Sequence, residues 1–282
     1  MVSSEQRRRQ LAREKYERQM ERRVAEAATR KRRTAILSAS LAVVVLAGGG
    51  ALVAGGAFSS NDDKSTTAAS DTAKAGQTNP AAEPTTPTRK PVDGCAAPAE
   101  GKPNGKQWKD EPAMTVDSSA AYTMTMDTNC GKVTVALDAA KAPHTVNSFN
   151  FLAGEQFFDH TKCHRLTTDG IFVLQCGDPT ASATVPGGTG GPGYKFKDEN
   201  LTGATYPAGT VAMANSGPDT NGSQFFLVYK DTKLPPSYIP FGKVTGGLDV
   251  LNKIAAAGTL EGATDGHPMA DITFNSVTVS KG

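Results

Sequence analysis

Histidine and cysteine are scarce in this chain of 282 residues, which has four of each. The histidines, at positions 144, 160, 164 and 267, show no spacing typical of zinc ligands. No serine stands in a nucleophile-elbow motif, and no internal repeat is visible. These absences argue against a zinc enzyme, an α/β-hydrolase and a repeat protein, and we expect neither a metal nor a cofactor.

A dinucleotide-binding site is also disfavoured, although GTGGPG at 188–193 has the spacing of its glycine fingerprint. That fingerprint needs a strand before it and a helix opening within it. Pro192, between Gly191 and Gly193, is compatible with neither. The stretch is predicted to be a surface loop.

Charge is unevenly distributed along the chain. Residues 1–34 carry 12 Lys and Arg against 5 Glu, whereas the remainder carries 18 Lys and Arg against 23 Asp and Glu. This uneven distribution of charge predicts that the two parts of the chain lie in different environments, rather than that the protein binds nucleic acid. The basic segment has a thin apolar stripe at helical spacing, so it is predicted to be a helix. It is either a membrane-surface helix or a solvated topology signal.

The next segment lacks charge altogether. Residues 34–61 contain no charged side chain, and 35–58 form an apolar run long enough to span a bilayer. A cleaved signal peptide is the alternative, but the 34-residue charged segment ahead of it is long for that role. The excess of Lys and Arg before the span predicts a cytoplasmic N-terminus, with everything after the span outside the cell membrane.

Residues 59–92 are predicted to be a disordered linker. The stretch 59–91 has no aromatic residue and no Val, Ile or Leu, and it contains four prolines. Such a segment cannot bury enough apolar surface to fold. A lead-in follows at 93–117, and the folded domain is predicted over 118–282.

The domain is predicted to be mainly β. Apolar residues alternate over 122–126 and again over 133–137, across the turn 127–131 that contains Asn129 and Gly131, which indicates a β-hairpin. In residues 142–158 the apolar residues switch to helical spacing, which predicts a helix that ends at Gly154. Further elements are strands near 163–166, 171–174, 209–214, 225–229 and 272–279, and a helix at 248–257. This pattern favours a closed or sandwich-like antiparallel sheet.

Two stretches carry the candidate chemistry. In CHRLTTDGIFVLQCGDP (163–179), Arg165 and Gln175 stand on strands that otherwise carry apolar residues. An arginine there either packs its stem and reaches solvent or serves as a donor for something that arrives. ANSGPDTNGSQFF (214–226) joins a polar loop directly to two phenylalanines and contains no nucleophile.

These motifs, with Met213 directly ahead of the second and FGKV at 241–244, resemble the cyclophilin family of peptidyl-prolyl cis-trans isomerases over about residues 118–282. The resemblance implies an eight-stranded antiparallel β-barrel capped by two helices, acting on proline-containing polypeptides. It also implies a catalytic Arg165, with peptide-contacting or pocket-lining roles for Phe172, Val173, Gln175, Ala214, Asn215, Ser216, Gln224, Phe226, Leu234 and Tyr238. The basic head, span and linker resemble membrane-anchored bacterial members, whose catalytic domain we expect to be monomeric.

Three positions depart from the family pattern. Val173 stands where methionine is usual, Lys233 where the best-known members have tryptophan, and Tyr238 where they have histidine. The tryptophan contributes to binding of the cyclic peptide cyclosporin, so we expect weak cyclosporin binding here. Two readings compete with the isomerase: a proline-peptide-binding module without turnover, and an interaction protein that acts through its cytoplasmic head.

All four cysteines follow the predicted span, in a compartment where disulfides persist. Pairing outward from the TTDG turn places Cys163 near Cys176, within bridging distance if they face each other. By elimination, Cys95 would pair with Cys130.

Overall fold

The structure is a computed structural model, and it describes residues 88–182 and 187–282. The basic segment 1–34, the span 35–58 and the linker up to residue 87 lie outside the described residues. Among the residues that are described, no helix is both long and apolar enough to cross a membrane.

The described chain folds into a single antiparallel sheet with two α-helices. The sheet order is β8-β3-β4-β6-β5-β7-β2-β1-β9. In chain order the elements are β1 (Tyr122–Thr128), β2 (Gly131–Leu137), α1 (Pro143–Gly154), β3 (Arg165–Thr167), β4 (Val173–Cys176), β5 (Thr210–Met213), β6 (Phe225–Val228), β7 (Pro240–Gly246), α2 (Leu248–Ala256), β8 (Asp265–Gly266) and β9 (Phe274–Lys281).

The sheet curls until its two ends meet. Residues 160–163, just before β3, exchange backbone hydrogen bonds with residues 272–274 at the start of β9. The pairs are His160 N to Phe274 O, Phe274 N to Thr161 O and Cys163 N to Ile272 O, at 2.8–3.1 Å. These bonds satisfy backbone groups that would otherwise form open edges.

Most predicted elements are confirmed within one or two residues. The β1–β2 hairpin pairs Tyr122 with Leu137 and Thr128 with Gly131, as the alternation indicates. Two strands were missed. β8 has two residues, and it makes the observed sheet nine-stranded rather than eight-stranded. β7 contains Pro240 and Gly242, which weaken a strand signal. Gly242 is required there because a Cβ would lie 2.7 Å from Cγ1 of Val135.

Aromatic rings fill the interior between α1 and the sheet. Phe149 of α1 is fully buried, and its ring centroid lies 4.6 Å from that of Phe241 and 5.4 Å from that of Phe225. The helix begins at Pro143, a residue suited to the first helical position. Its buried residues include Val146, Phe149 and Leu152, which confirms the predicted apolar face.

The lead-in has no helix or strand, yet it packs closely on the domain. The ring of Trp108 meets Phe151 edge-on at 5.0 Å. The buried Asn147 side chain accepts from the backbone N–H of Thr115 and donates to the carbonyl of Ala113. The contacts begin before residue 93, because Arg89 donates to the carbonyl of Pro268 at 2.6 Å. The end of the predicted linker therefore belongs to the domain.

Candidate active site

Four directly paired residues form a row across neighbouring strands. Arg165 of β3 pairs with Gln175 of β4, Gln175 pairs with Phe226 of β6, and Phe226 pairs with Ala212 of β5. Directly opposite residues of an antiparallel sheet project from the same face. The register therefore places the predicted catalytic arginine, a predicted peptide donor and a predicted pocket wall on one surface.

Arg165 is held on two sides. Its Nη1 donates to Oε1 of Gln175 at 3.2 Å, while Nε and Nη2 donate to the two carboxylate oxygens of Asp265 at 2.8 and 2.7 Å. The hydrogen bonds with Asp265 raise the pKa of Arg165, against a smaller opposing effect of burial. They also lower the pKa of Asp265. Both groups are therefore charged at neutral pH, and the guanidinium is oriented by a forked pair.

A chain of amide contacts extends from Gln175. Its Nε2 donates to Oε1 of Gln224 at 2.9 Å, and Nε2 of Gln224 donates to the carbonyl of Gly190 at 2.8 Å. The same nitrogen lies 3.3 Å from Oδ2 of Asp178. Gln224 thereby fixes the direction in which Gln175 presents its amide, while the peptide-contacting or pocket-lining role expected of Gln224 stays a prediction.

Asp178 organises the glycine-rich loop. It is fully buried and accepts from the backbone N–H groups of Gly188, Thr189 and Gly190 and from Thr180. Burial raises the pKa of Asp178, but these hydrogen bonds outweigh it, so the pKa is lowered overall. The GTGGPG stretch is a loop, as predicted, and its shape is set by a buried carboxylate.

An apolar wall lies beside the arginine. Val173, Phe226, Leu234 and Tyr238, all predicted pocket residues, pack in one cluster with the following residues that were not predicted: Tyr206, Ala212 and Val228. The rings of Phe226 and Tyr238 meet edge-on at 5.5 Å. Tyr206 is 2% exposed, and its hydroxyl donates to the carbonyl of Tyr238 at 2.8 Å while accepting from the N–H of that residue.

Phe172 lies beside this cluster rather than in it. Its ring meets Tyr229 at 6.0 Å, and the ammonium group of Lys230 stands 4.5 Å from the ring centroid. Its backbone N–H donates to the hydroxyl of Thr232. Nothing in these contacts tests the pocket role that the resemblance implies for Phe172, and that role stays a prediction.

The polar loop at 214–216 borders a cavity of about 250 Å³. Ala214 also packs on the apolar cluster, so it joins the two halves of the site. The side-chain amide of Asn215 donates to the carbonyl of Ser237, and the N–H of Ser216 donates to the hydroxyl of Thr220. The cavity is lined by Gln175, Gly188, Thr189, Gly190, Lys195, Ala214, Asn215, Ser216, Thr220, Gly222, Ser223 and Gln224.

The backbone of Asn215 remains available for a ligand. Within the described parts of the chain, no hydrogen bond engages its N–H or its C=O. An extended peptide laid along this loop could pair with both groups, as a strand does at a sheet edge. This geometry is compatible with the backbone role expected of Asn215.

Both predicted disulfides are present. Cys163 is bonded to Cys176 and Cys95 to Cys130, so all four cysteines of the chain are paired. The pairing of Arg165 with Gln175 places Gly177, rather than Cys176, directly opposite Cys163. The first bridge therefore runs diagonally across the hairpin, one residue from direct opposition.

Besides Ala212 and Val228, three polar residues that shape the site were not predicted. Tyr206 holds the apolar wall in place, Asp178 sets the shape of the glycine-rich loop, and Asp265 orients the guanidinium group of Arg165. Asp265 is 100 positions from Arg165 in the chain, and it stands in a short Asp-Gly pair that reads as a turn. The one signal in the sequence was that an arginine on an apolar strand needs a negatively charged partner. The sequence does not show which carboxylate is that partner.

Comparisons with known proteins agree with this geometry. The sequence model of the family described as cyclophilin type peptidyl-prolyl cis-trans isomerase/CLD matches residues 123–279. A probable peptidyl-prolyl cis-trans isomerase B of Mycobacterium leprae is 49% identical over 172 residues, covering 56% of this chain and 57% of that protein. The Mycobacterium tuberculosis protein of the same name is 47% identical over 172 residues, covering 56% and 54%.

The chain thus spans little more than half the length of these two relatives. Among solved structures, a cyclophilin type peptidyl-prolyl cis-trans isomerase of Cryptosporidium parvum matches with a TM-score of 0.50 and 27% identity, covering 57% of this chain and 99% of that one. The family match covers more than half of the chain, and it coincides with the curled sheet and the Arg165 row. The chain belongs to the cyclophilin-type peptidyl-prolyl cis-trans isomerase family.

Proposed function

We propose that this protein catalyses rotation about the peptide bond that precedes proline in polypeptide substrates. The observation that carries the proposal is the row of Arg165, Gln175 and Phe226 on one face of the sheet. It puts a charged donor on the same face as an apolar wall, and Gln175, which lies between the two, also lines the polar cavity. A site for proline needs the wall for the ring and the cavity for the chain on either side.

Rotation about this bond needs no nucleophile. The barrier of about 18–20 kcal/mol comes from conjugation of the amide nitrogen with the carbonyl, and no bond is broken. As the amide twists, its nitrogen regains a lone pair that can accept a hydrogen bond. Arg165 has five N–H donors, of which three are engaged by Asp265 and Gln175. Its remaining donors can stabilise that nitrogen in the twisted state.

The clamp is formed by groups that do not react. Phe226, Leu234 and Tyr238 offer the apolar surface that holds the proline ring. The Asn215 backbone and the Gln175 amide offer hydrogen bonds to the peptide on either side. Because these contacts fix the two ends of the bond, the binding energy of the peptide can favour the twisted geometry over either planar isomer.

An isomerisation assay on the full chain in mild detergent tests this proposal. We expect turnover of an X-Pro peptide, and we expect Arg165→Ala to lower kcat/KM at least tenfold, about 1.4 kcal/mol of transition-state stabilisation. Arg89→Ala is the matched control, because it truncates an arginine that binds backbone carbonyls outside the site. Peptide binding without turnover would show that the domain is a binding module rather than an enzyme. Full activity in a folded Arg165→Ala variant would show that Arg165 is not catalytic.

We further propose that the protein is anchored in the cell membrane with its domain outside, where it assists folding of extracytoplasmic proteins. The uncharged run at 35–58 and the basic segment before it support this orientation. The two disulfides fit an oxidising compartment. Topology reporters fused after residue 34 and after residue 282 test it. An export-dependent reporter should be active in the second position alone, and activity in the first would contradict the orientation.

A further inference from the structure

The carboxylate that binds Arg165 comes from the far end of the chain. Asp265 opens β8, which pairs with β3 through Thr167↔Asp265 and Leu166↔Gly266. The forked contact joins the two carboxylate oxygens to Nε and Nη2 of Arg165 at 2.8 and 2.7 Å. Gln175 occupies Nη1 on the other side. The guanidinium plane is thereby fixed by two partners that the sheet holds rigidly.

We propose that Asp265 is a positioning residue for catalysis, which keeps the free donors of Arg165 directed at the bound peptide bond. This inference rests on the isomerase function proposed above. The Arg165 side chain is 40% exposed, so without Asp265 its long stem could sample several rotamers and turn its head toward water. A planar fork matched to a carboxylate confines the head to one plane.

The segment around Asp265 is built to hold it in place. The N–H of Thr168 donates to the carbonyl of Thr264 at 2.8 Å. The N–H of His267 donates to Oε2 of Glu261 at 2.9 Å. A Cβ on Gly266 would lie 2.3 Å from Oε2 of Glu261, so a larger residue there would displace this carboxylate. The Asp-Gly pair therefore serves two purposes: one residue reaches Arg165 and the other admits the carboxylate that closes the loop.

The competing interpretation is an ordinary surface ion pair. Exposed pairs of that kind often contribute little to stability, and the Asp265 side chain is 54% exposed. Stability measurements alone therefore do not separate the two interpretations. A positioning role predicts instead an effect on kcat that depends on Arg165.

The test compares Asp265→Asn with Asp271→Asn in the full chain. Asp271 accepts two hydrogen bonds from Lys162 Nζ at 2.8 Å and lies 4.0 Å from Nη2 of Arg89, so its variant removes a similar forked pair away from the site. We expect Asp265→Asn to lower kcat about fivefold with KM changed less than about twofold, since the amide keeps the shape but cannot form the charged fork. Asp265→Glu should recover part of the loss, and Asp271→Asn should leave kcat unchanged.

Two further readouts make the outcome specific to Arg165. In an Arg165→Ala background, Asp265→Asn should have no further effect on kcat. The ¹⁵N–¹H signal of Arg165 Nε should shift in Asp265→Asn and not in Asp271→Asn. Unchanged kcat in Asp265→Asn, or an equal loss in the Arg165→Ala background, would overturn the inference even though the unmodified protein is active. Inactive unmodified protein would instead overturn the proposed function, and this inference with it.

Discussion

At the scale of single residues, the apolar wall of the site depends on the hydroxyl group of Tyr206, which no pattern in the sequence predicts. Tyr206 stands in a loop, yet its ring packs 6.3 Å from Phe226 and its hydroxyl bonds both backbone groups of Tyr238. A buried hydroxyl without hydrogen-bond partners is costly. The Tyr206 hydroxyl therefore favours the conformation in which the loop around Tyr238 supplies those partners. Tyr206 thus holds the backbone of Tyr238, the position where the best-known family members have histidine.

Lys233 leads to a prediction about inhibition. It is exposed, and it precedes Leu234, which packs on the apolar cluster. Sensitive family members carry tryptophan at this position, and the indole contributes an N–H donor and an apolar face to cyclosporin binding. Lysine would have to desolvate its ammonium against an apolar macrocycle. We expect isomerase activity with weak cyclosporin inhibition, and Lys233→Trp should tighten inhibition roughly 30-fold, the equivalent of about 2 kcal/mol.

Inhibition constants for the unmodified chain, Lys233→Trp and Lys243→Trp check this expectation. Lys243 lies on β7, so its variant adds an indole elsewhere. Nanomolar inhibition of the unmodified chain would show that Lys233 does not limit cyclosporin binding.

His164 predicts a pH dependence of stability. The residue is 7% exposed, and neither ring nitrogen has a hydrogen-bond partner among the described residues. Burial is the main cause that lowers the pKa of His164 below 6.5. The unfolded chain therefore takes up a proton more readily than the folded one. Stability contributed by neutral His164 is complete above about pH 6.5 and is lost as the pH falls below it, by at most about 1.4 kcal/mol per pH unit.

Urea denaturation at pH 7.5, 6.5 and 5.5 measures this loss. His164→Gln cannot take up a proton, so its free energy of unfolding should fall less between pH 6.5 and 5.5 than that of the unmodified chain. Parallel curves for the two proteins would show that His164 accepts a proton in the folded state as readily as in the unfolded state.

At the scale of elements, the two disulfides have different consequences. Cys163 lies two residues before Arg165, and Cys176 directly follows Gln175, whereas Cys95–Cys130 ties the lead-in to the β1–β2 turn. Their separations of 13 and 35 residues give closure contributions of about 3 and about 4 kcal/mol. Replacing either pair by alanine should lower the free energy of unfolding by up to these amounts. Only loss of the 163–176 bridge should also lower kcat/KM, because it frees the hairpin that carries Arg165 and Gln175.

Urea denaturation and the isomerisation assay on the two double variants separate these effects. Equal kcat/KM values in both variants would contradict the link between the 163–176 bridge and the site. Three or four alkylatable thiols in unreduced, denatured protein would contradict both bridges.

The elements show which parts of the fold a sequence can predict. The β1–β2 hairpin follows from alternation because one face of each strand is buried, as at Met124 and Val135. β7 and β8 form because neighbouring strands offer them hydrogen-bonding partners. Their Pro and Gly residues have low strand propensity, so the sequence does not predict either strand. The predicted site residues came from motifs that the family shares. Asp265 and Tyr206 act across long separations, so local patterns gave no indication of them.

At the scale of the whole molecule, the boundary of the domain lies earlier than composition indicates. Arg89 donates to the carbonyls of Pro268 and Met269 at 2.6 and 3.2 Å, and Val92 packs against the core. Composition alone assigns these residues to the linker because Pro91 and the preceding threonines dominate it. These contacts reach Pro268 and Met269, which follow β8, so Arg89 binds the C-terminal part of the domain outside the site.

This boundary yields a prediction about fragments. A fragment of residues 88–282 should have the melting temperature of the full chain's domain, because it keeps every described contact of Arg89. A fragment of residues 93–282 loses the charge-assisted bonds of Arg89, worth about 1 kcal/mol at a partly exposed site, which corresponds to a Tm lower by about 2–4 °C. Arg89→Ala in the full chain is the matched control and should lower the Tm by a similar amount. If the two fragments melted at the same temperature, residues 88–92 would belong to the linker after all.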